Sequence, residues 1–223
     1  MDEIVRPRAL VTGGSAGIGL EIAKLLAADG HDLIITGLSP RVHAAAQELR
    51  GLGAGVVAVQ SDLSRPEGVQ QVIDAVHAAG QLDVMVLNAG IAVGGAFLDI
   101  ALKRHLDLID LNIGSTVRLC HALVPDLIKT RGKILMVSSI SAFGLTPYES
   151  VYGPSKAFMS SFGHGLREEL RGTGVSVTLL HPGATATEFH HRPAWMRPAL
   201  VTTAGRTIRC WSPVRGSRRC LTA

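Results

Sequence analysis

A glycine-rich turn set between an apolar run and a helical pattern constrains this chain more than any other feature. Ala9–Thr12 leads into Gly13-Gly14-Ser15-Ala16-Gly17-Ile18-Gly19, and helical periodicity continues to about residue 29. Gly13 permits a tight turn. Gly17 and Gly19 let the backbone approach a pyrophosphate and let the helix pack closely on the strand. The spacing is TGxxxGxG, and the Gly-Lys-Ser/Thr of a P-loop is absent from it. A glycine-rich turn that holds no ligand is the alternative reading.

The same strand-then-helix alternation recurs along the chain. Strands are expected at Ala9–Thr12, Asp32–Thr36, Val56–Gln60, Val84–Asn88, Lys133–Ser138 and Val175–His181, with helices at about 17–29, 41–50, 66–79, 99–129 and 152–171. Repeated βα units with right-handed crossovers imply an α/β fold: a doubly wound parallel sheet with helices on both faces. Hydrophobic residues make up 47% and charged residues only 18%, which suits a sheet covered on both sides. Six strands are expected and a seventh is doubtful. Residues 1–192 read as one domain and 193–223 as an atypical basic tail. That tail explains the net charge of +4. The last 35 residues hold seven arginines and no acid, whereas residues 1–188 carry 15 basic against 18 acidic side chains. The globular part is therefore mildly acidic, and no specific nucleic-acid partner is expected. Nor is a membrane span or a metal site, since no apolar run is long enough and Cys120, Cys210 and Cys220 form no cluster. A soluble cytoplasmic protein with reduced thiols fits best.

Tyr152 and Lys156 stand four residues apart, on one face of a helix, and Ser139 lies thirteen residues upstream. A phenol, an ammonium and a hydroxyl so spaced suit proton transfer to a carbonyl oxygen. The cation and the helix N-terminus are expected to lower the tyrosine pKa from about 10. Pro154 places the start of that helix near residues 150–153. Ser138 competes with Ser139 for the role, as an ordinary strand-end cap.

These residues together resemble the short-chain dehydrogenase/reductase family over roughly residues 7–190, and further landmarks fall in the family's order: Asp62-Leu63, Asn88-Ala89-Gly90, Asn112, and Pro182-Gly183 with Thr187. The resemblance implies a Rossmann-type fold and an NAD(P)-dependent oxidoreductase acting on a carbonyl or alcohol. It implies that Gly13, Ser15, Gly17, Ile18 and Gly19 hold the dinucleotide pyrophosphate end. Asp62 and Leu63 would meet the adenine, Asn88, Ala89 and Gly90 would border the cofactor, and Pro182, Gly183 and Thr187 would cradle the nicotinamide. Tyr152 would be the acid/base, Ser139 the oxyanion partner, Lys156 the ribose and proton-relay cation, and Asn112 the end of that relay. A homodimer through the long 99–129 helical region is also implied, with Leu108, Leu111, Leu119 and Leu123 as apolar contacts. Departures are local: the helix reads Tyr152-Gly153-Pro154-Ser155-Lys156, and the likeness fades after about Arg192.

Cofactor choice rests on Thr36-Gly37-Leu38-Ser39-Pro40-Arg41, which lacks the acid that selects NAD. Ser39 and Arg41 can meet a 2′-phosphate, so NADP is expected, with NAD the alternative. Phe143, Leu145, Tyr148 and Phe189 suggest an apolar pocket with no anchor for a charged substrate. A cofactor-binding module without useful turnover is the rival function. Without a seventh strand the outer edge of Val175–Leu180 would be bare, so either part of Leu200–Thr203 or Thr207–Trp211 is expected to cover it, or the protein is expected to be poorly soluble and weakly active.

Overall fold

The computed structural model describes residues 6–183, 199–203 and 206–210. Two compact units divide the chain, Met1–Phe189 and His190–Ala223. In the first, six strands alternate with helices: β1 (Arg8–Val11), α1 (Gly17–Ala28), β2 (Asp32–Gly37), α2 (Arg41–Gly51), β3 (Val56–Gln60), α3 (Pro66–Ala79) and β4 (Val84–Leu87). There follow α4 (Leu102–Ile109), α5 (Ser115–Thr130), β5 (Lys133–Val137), α6 (Tyr152–Glu169) and β6 (Ser176–Leu180). All neighbouring strands pair in parallel, in the order β3-β2-β1-β4-β5-β6. The order reverses between β1 and β4. This is the doubly wound Rossmann-like sheet expected.

Alternation along each strand builds two cores. Leu10, Ile34, Met85 and Ile134 face a cluster completed by Val72, Leu119, Leu123, Leu127 and Met159 from α3, α5 and α6. Their neighbours Ala9, Val11, Leu33, Ile35 and Val86 face the opposite cluster with Ala23 and Leu49 from α1 and α2. Both faces of the inner strands are buried, which is why they read as near-continuous apolar runs.

Two expectations are corrected here. The long helix begins at Leu102, not near residue 99, and is not continuous: Asp110–Gly114 forms a π turn between α4 and α5. Leu108, Leu119 and Leu123 are fully buried within this chain, and Leu111 packs against the core that holds Leu119 and Leu123, so they are not free for a dimer contact. The exposed apolar residues of these helices are instead Leu102, Leu106, Ile109, Val117 and Ile128.

In the second unit, β7 (Ala199–Thr203) and β8 (Arg206–Cys210) pair with each other in antiparallel register. Neither is a strand of the six-stranded sheet, which ends at β6 among the described residues; Trp211 lies outside them. No helix among the described residues is long and apolar enough to cross a membrane.

Candidate active site

Parallel strands deliver their C-terminal ends to one edge of the sheet, and the order reversal opens a crevice there between β1 and β4. The turn after β1 lines it. Gly13 and Gly17 have φ of +65° and +55°, a region that side chains avoid. Gly19 is buried where an added Cβ would collide with the Gly13 carbonyl and the Asn88 amide. The first turn of α1 can therefore approach a ligand closely, and its N–H groups favour an anion. A dinucleotide pyrophosphate fits this cradle. Ser15 lies over Gly37 at the end of β2, where a Cβ on Gly37 would come within 2.8 Å of the Ser15 hydroxyl. Ile18 is half-buried beside Gly19.

Asn88 ties the end of β4 to that turn. Its Nδ2 donates to the carbonyls of Thr12 (3.0 Å) and Gly13 (3.3 Å), while its backbone N–H and that of Ala89 donate to Thr12 Oγ1. Gly90 lies between two other groups: a Cβ there would come within 3.0 Å of Asn112 Oδ1 and 3.6 Å of Lys156 Nζ. Asn112 sits in the π turn and is 2% exposed. It is pinned on both sides, Oδ1 accepting from the Ile91 N–H at 2.9 Å and Nδ2 donating to the Ile91 carbonyl and to Ser155 Oγ, each at 3.0 Å. Wide helical turns are often found at functional positions.

Ser139 follows β5, and its hydroxyl accepts the Ser141 N–H at 3.1 Å, capping a short 3₁₀ turn at Ile140–Phe143. The same hydroxyl lies close enough to the Tyr152 phenol to favour its ionised form. Tyr152 opens α6, where Pro154 falls in the first turn and costs no helical hydrogen bond. Gly153 makes room for Thr146, against whose side chain any Cβ would clash. Lys156 is 5% exposed; its Nζ donates to the Val137 carbonyl at 2.9 Å and lies 5.9 Å from the Tyr152 ring centroid.

Burial dominates the electrostatics. Loss of hydration pulls the Lys156 ammonium down to about 8. It also raises the Tyr152 phenol above 10, with the Glu149 carboxylate adding to the rise and the Ser139 hydrogen bond opposing it. The expected lowering of the tyrosine is therefore corrected: among the protein's own groups, desolvation outweighs every influence that favours the phenolate.

Other sequence candidates lie along the same edge but apart from this cluster. Leu38 is exposed after β2, and Ser39 and Arg41 bracket the start of α2. Asp62 accepts from the Ser64 N–H and hydroxyl through Oδ1, so part of its role is to shape the turn before α3. The Leu63 side chain belongs to the core, which leaves only its backbone for a ligand. The Pro182 carbonyl accepts the Ile140 N–H at 3.1 Å, and Gly183 is exposed beside it. Thr187 and Phe189 lie outside the described residues. Beside the first turn of α6, a cleft of about 550 Å³ is lined by Ala142, Leu145, Thr146, Pro147 and Pro154 among others, with no charged side chain among the described residues. Tyr148 adopts a left-handed φ of 66°, and its carbonyl accepts the Gly95 N–H at 2.7 Å. Sequence reasoning missed Ser155, Ser160 and His181, all of which bond into the cluster. The four-residue step from Lys156 to Ser160 was the available signal.

The fold and this edge define a nucleotide-binding oxidoreductase class, and comparison with known proteins gives the family. Residues 7–195 match the short chain dehydrogenases. Serine 3-dehydrogenase of Agrobacterium fabrum is 35% identical over 185 residues, covering 81% of this chain and 72% of that protein. A 3-oxoacyl-(acyl-carrier protein) reductase from Brucella melitensis, solved with NAD, superposes with a TM-score of 0.77 at 35% identity, covering 84% of this chain and 77% of that one. L-sorbose reductase from Gluconobacter frateurii, solved with NADPH and L-sorbose, gives 0.78 at 32% identity, covering 87% and 74%. The chain belongs to the short-chain dehydrogenase/reductase family of enzymes.

Proposed function

We propose that this protein is an NADPH-dependent reductase of uncharged ketones or aldehydes, working reversibly on the corresponding alcohols. The observation that carries the reading is the buried Lys156 ammonium 5.9 Å from the Tyr152 ring, beside a pinned Asn112 and with the Ser139 hydroxyl acting on the phenol. Gly13, Ser15, Gly17, Ile18 and Gly19 would hold the pyrophosphate, with Asn88, Ala89 and Gly90 beside it. Asp62 and the Leu63 backbone would meet the adenine, and Pro182, Gly183 and Thr187 the far end. Once bound, the nicotinamide supplies the hydride.

The chain's own groups manage the proton. A phenol whose pKa lies above 10 is protonated at neutral pH, so Tyr152 is ready to donate to the substrate oxygen as charge develops there. Ser139 would donate a hydrogen bond to that same oxygen. Lys156 would hold the ribose hydroxyls, and Asn112 would anchor the relay by which Tyr152 is reprotonated. Glu149, whose charge is felt at the phenol, disfavours an anionic substrate, and the uncharged cleft agrees.

NADPH is favoured over NADH because Thr36–Ser39 offers no acid to a ribose 2′-hydroxyl, while Ser39 and Arg41 can supply a hydroxyl and a cation to a 2′-phosphate. A homodimer through α4 and α5 is the expected assembly, using Leu102, Leu106 and Ile109, which recur at helical spacing along α4. Residues 1–192 would form the catalytic domain, in a cytoplasmic protein.

The test is NADPH consumption over a panel of neutral, anionic and cationic carbonyl compounds, with Tyr152→Phe alongside. Neutral compounds should turn over best, and the variant should lose about 10²-fold or more in kcat with NADPH affinity little changed. Tight NADPH binding with no turnover of any compound would favour the cofactor-binding module instead.

A further inference from the structure

Two buried hydroxyl groups lie within hydrogen-bonding distance of the Lys156 carbonyl oxygen, besides its place in the helix: Ser138 Oγ at 2.8 Å and Ser160 Oγ at 3.1 Å. These hydroxyls lie 2.9 Å apart, and Ser160 Oγ is 2.9 Å from His181 Nε2. Three elements thus meet in one chain of polar groups: the end of β5, the second turn of α6 and the residue after β6. Each hydroxyl carries a single proton. With His181 Nε2–H donating to Ser160, Ser160 can donate to Ser138 and Ser138 to the Lys156 carbonyl, leaving every proton with an acceptor. Burial and the neighbouring His164 hold the imidazole pKa below 6.5, so at neutral pH the ring is uncharged and one nitrogen is a donor.

The same ring packs against Phe143, with centroids 4.6 Å apart and planes tilted by 42°. Phe143 ends the 3₁₀ turn that Ser139 caps. The backbone on either side of Ser139 is also tied to this strand end: the Ser138 N–H donates to the Leu180 carbonyl at 2.8 Å and the Ile140 N–H to the Pro182 carbonyl at 3.1 Å. His181 therefore touches both bodies whose separation sets the distance from Ser139 to Tyr152, the 3₁₀ turn through its ring and α6 through Nε2.

We propose that His181 is a positioning residue for the reaction: it clamps the Ser139 turn onto the Tyr152–Lys156 helix through Ser160 and Phe143. The proposal rests on the reading of Ser139 and Tyr152 as the reacting pair. A displacement of about 1 Å in such a pair can cost 10²-fold in rate.

The experiment compares His181→Leu, which keeps bulk but no donor, with His181→Gln, whose amide nitrogen can stand where Nε2 does. His181→Leu should lower kcat by about tenfold or more, with KM and the NADPH Kd changed by less than about twofold. His181→Gln should recover to within about threefold of the parent. Ser160→Ala should resemble His181→Leu, and the double variant should be no worse than either, since both remove one clamp. Hydrogen exchange of the amides at 138–141 in the cofactor-free protein should quicken in His181→Leu and not in His181→Gln. That readout is independent of turnover, so failure of the clamp is distinguishable from failure of the catalytic assignment, which Tyr152→Phe tests. Unchanged kcat in His181→Leu, equal impairment in His181→Gln, or unaltered exchange would each overturn the proposal. If His181→Leu does not fold, His181→Gln is compared with His181→Asn, whose shorter amide falls short of Ser160; equal kcat in those two would overturn it as well.

Discussion

Replacing Lys156 by Met should destroy turnover and yet make the protein more stable at neutral pH. The ammonium is buried with one hydrogen bond, to the Val137 carbonyl, and its pKa falls from 10.5 to about 8. Each unit of that fall is about 1.4 kcal/mol, so keeping the charge inside costs the native state about 3 kcal/mol below pH 8. Met fills similar space without charge, but it leaves the Val137 carbonyl short of a donor, a loss of about 1 kcal/mol. The net gain is about 2 kcal/mol at pH 7, or roughly 4–8 °C in Tm for a chain of this size. The sign of the pH dependence follows from proton counts. Between pH 8 and 10.5 the unfolded lysine holds a proton that the native one has released, so the parent gains stability as pH rises through that window. The Met variant has no such group, and its advantage should shrink across the same window. Urea unfolding of both proteins at pH 7 and pH 10 measures this. A Met variant less stable than the parent at pH 7, or a gap that does not narrow, would refute the reasoning.

Gly19→Ala should lower stability by about 1–3 kcal/mol, because its Cβ has to displace the Gly13 carbonyl or the Asn88 amide, and should weaken NADPH binding in step; a melt and a fluorescence titration that both match the parent would contradict the close-packed turn. NADPH should bind more tightly than NADH, and Arg41→Ala should narrow that ratio by about tenfold, the worth of one charge-assisted contact; equal affinities in the parent would reject the 2′-phosphate reading. Light scattering should give a dimer mass, and Leu106→Lys should shift it toward the monomer without lowering Tm; a monomeric parent at micromolar concentration would exclude an interface at α4 and α5.

Much of the architecture was legible because the inner strands of this sheet are buried on both faces, so apolar runs such as Leu33–Ile35 and Val84–Leu87 stand out from the amphipathic helices between them. The placement of Ser139, Tyr152 and Lys156 in one cluster was legible for a similar reason: β5 and the start of α6 are fixed by Lys133–Val137 and by Pro154. What escaped was whatever depends on local winding or on depth. The π turn holding Asn112 leaves no mark on a hydrophobic pattern that runs through it from Leu108 to Leu119. Leucines at Leu108, Leu119 and Leu123 look the same in sequence whether they face a sheet or a second subunit. The direction of the Tyr152 pKa turned on burial, which residue spacing does not encode. Ser160 and His181, 21 residues apart, come within hydrogen-bonding distance only because β6 returns beside β5.

The π turn at Asp110–Gly114 is where this stretch of chain holds one residue more than a regular helix needs. A residue in an α-helix advances about 100° around the axis, and a wider turn takes up one extra residue without rotating the helix beyond it. Removing one residue there would let α4 and α5 merge into a regular helix, with Leu108 still beside Tyr152 and Val93 and with Leu119, Leu123 and Leu127 still in the sheet core. What would go is the seat of Asn112 between Ile91 and Ser155. In a library of length variants, a one-residue gap at this turn should keep the fold and lose activity, whereas the same gap within α5 should lose the fold.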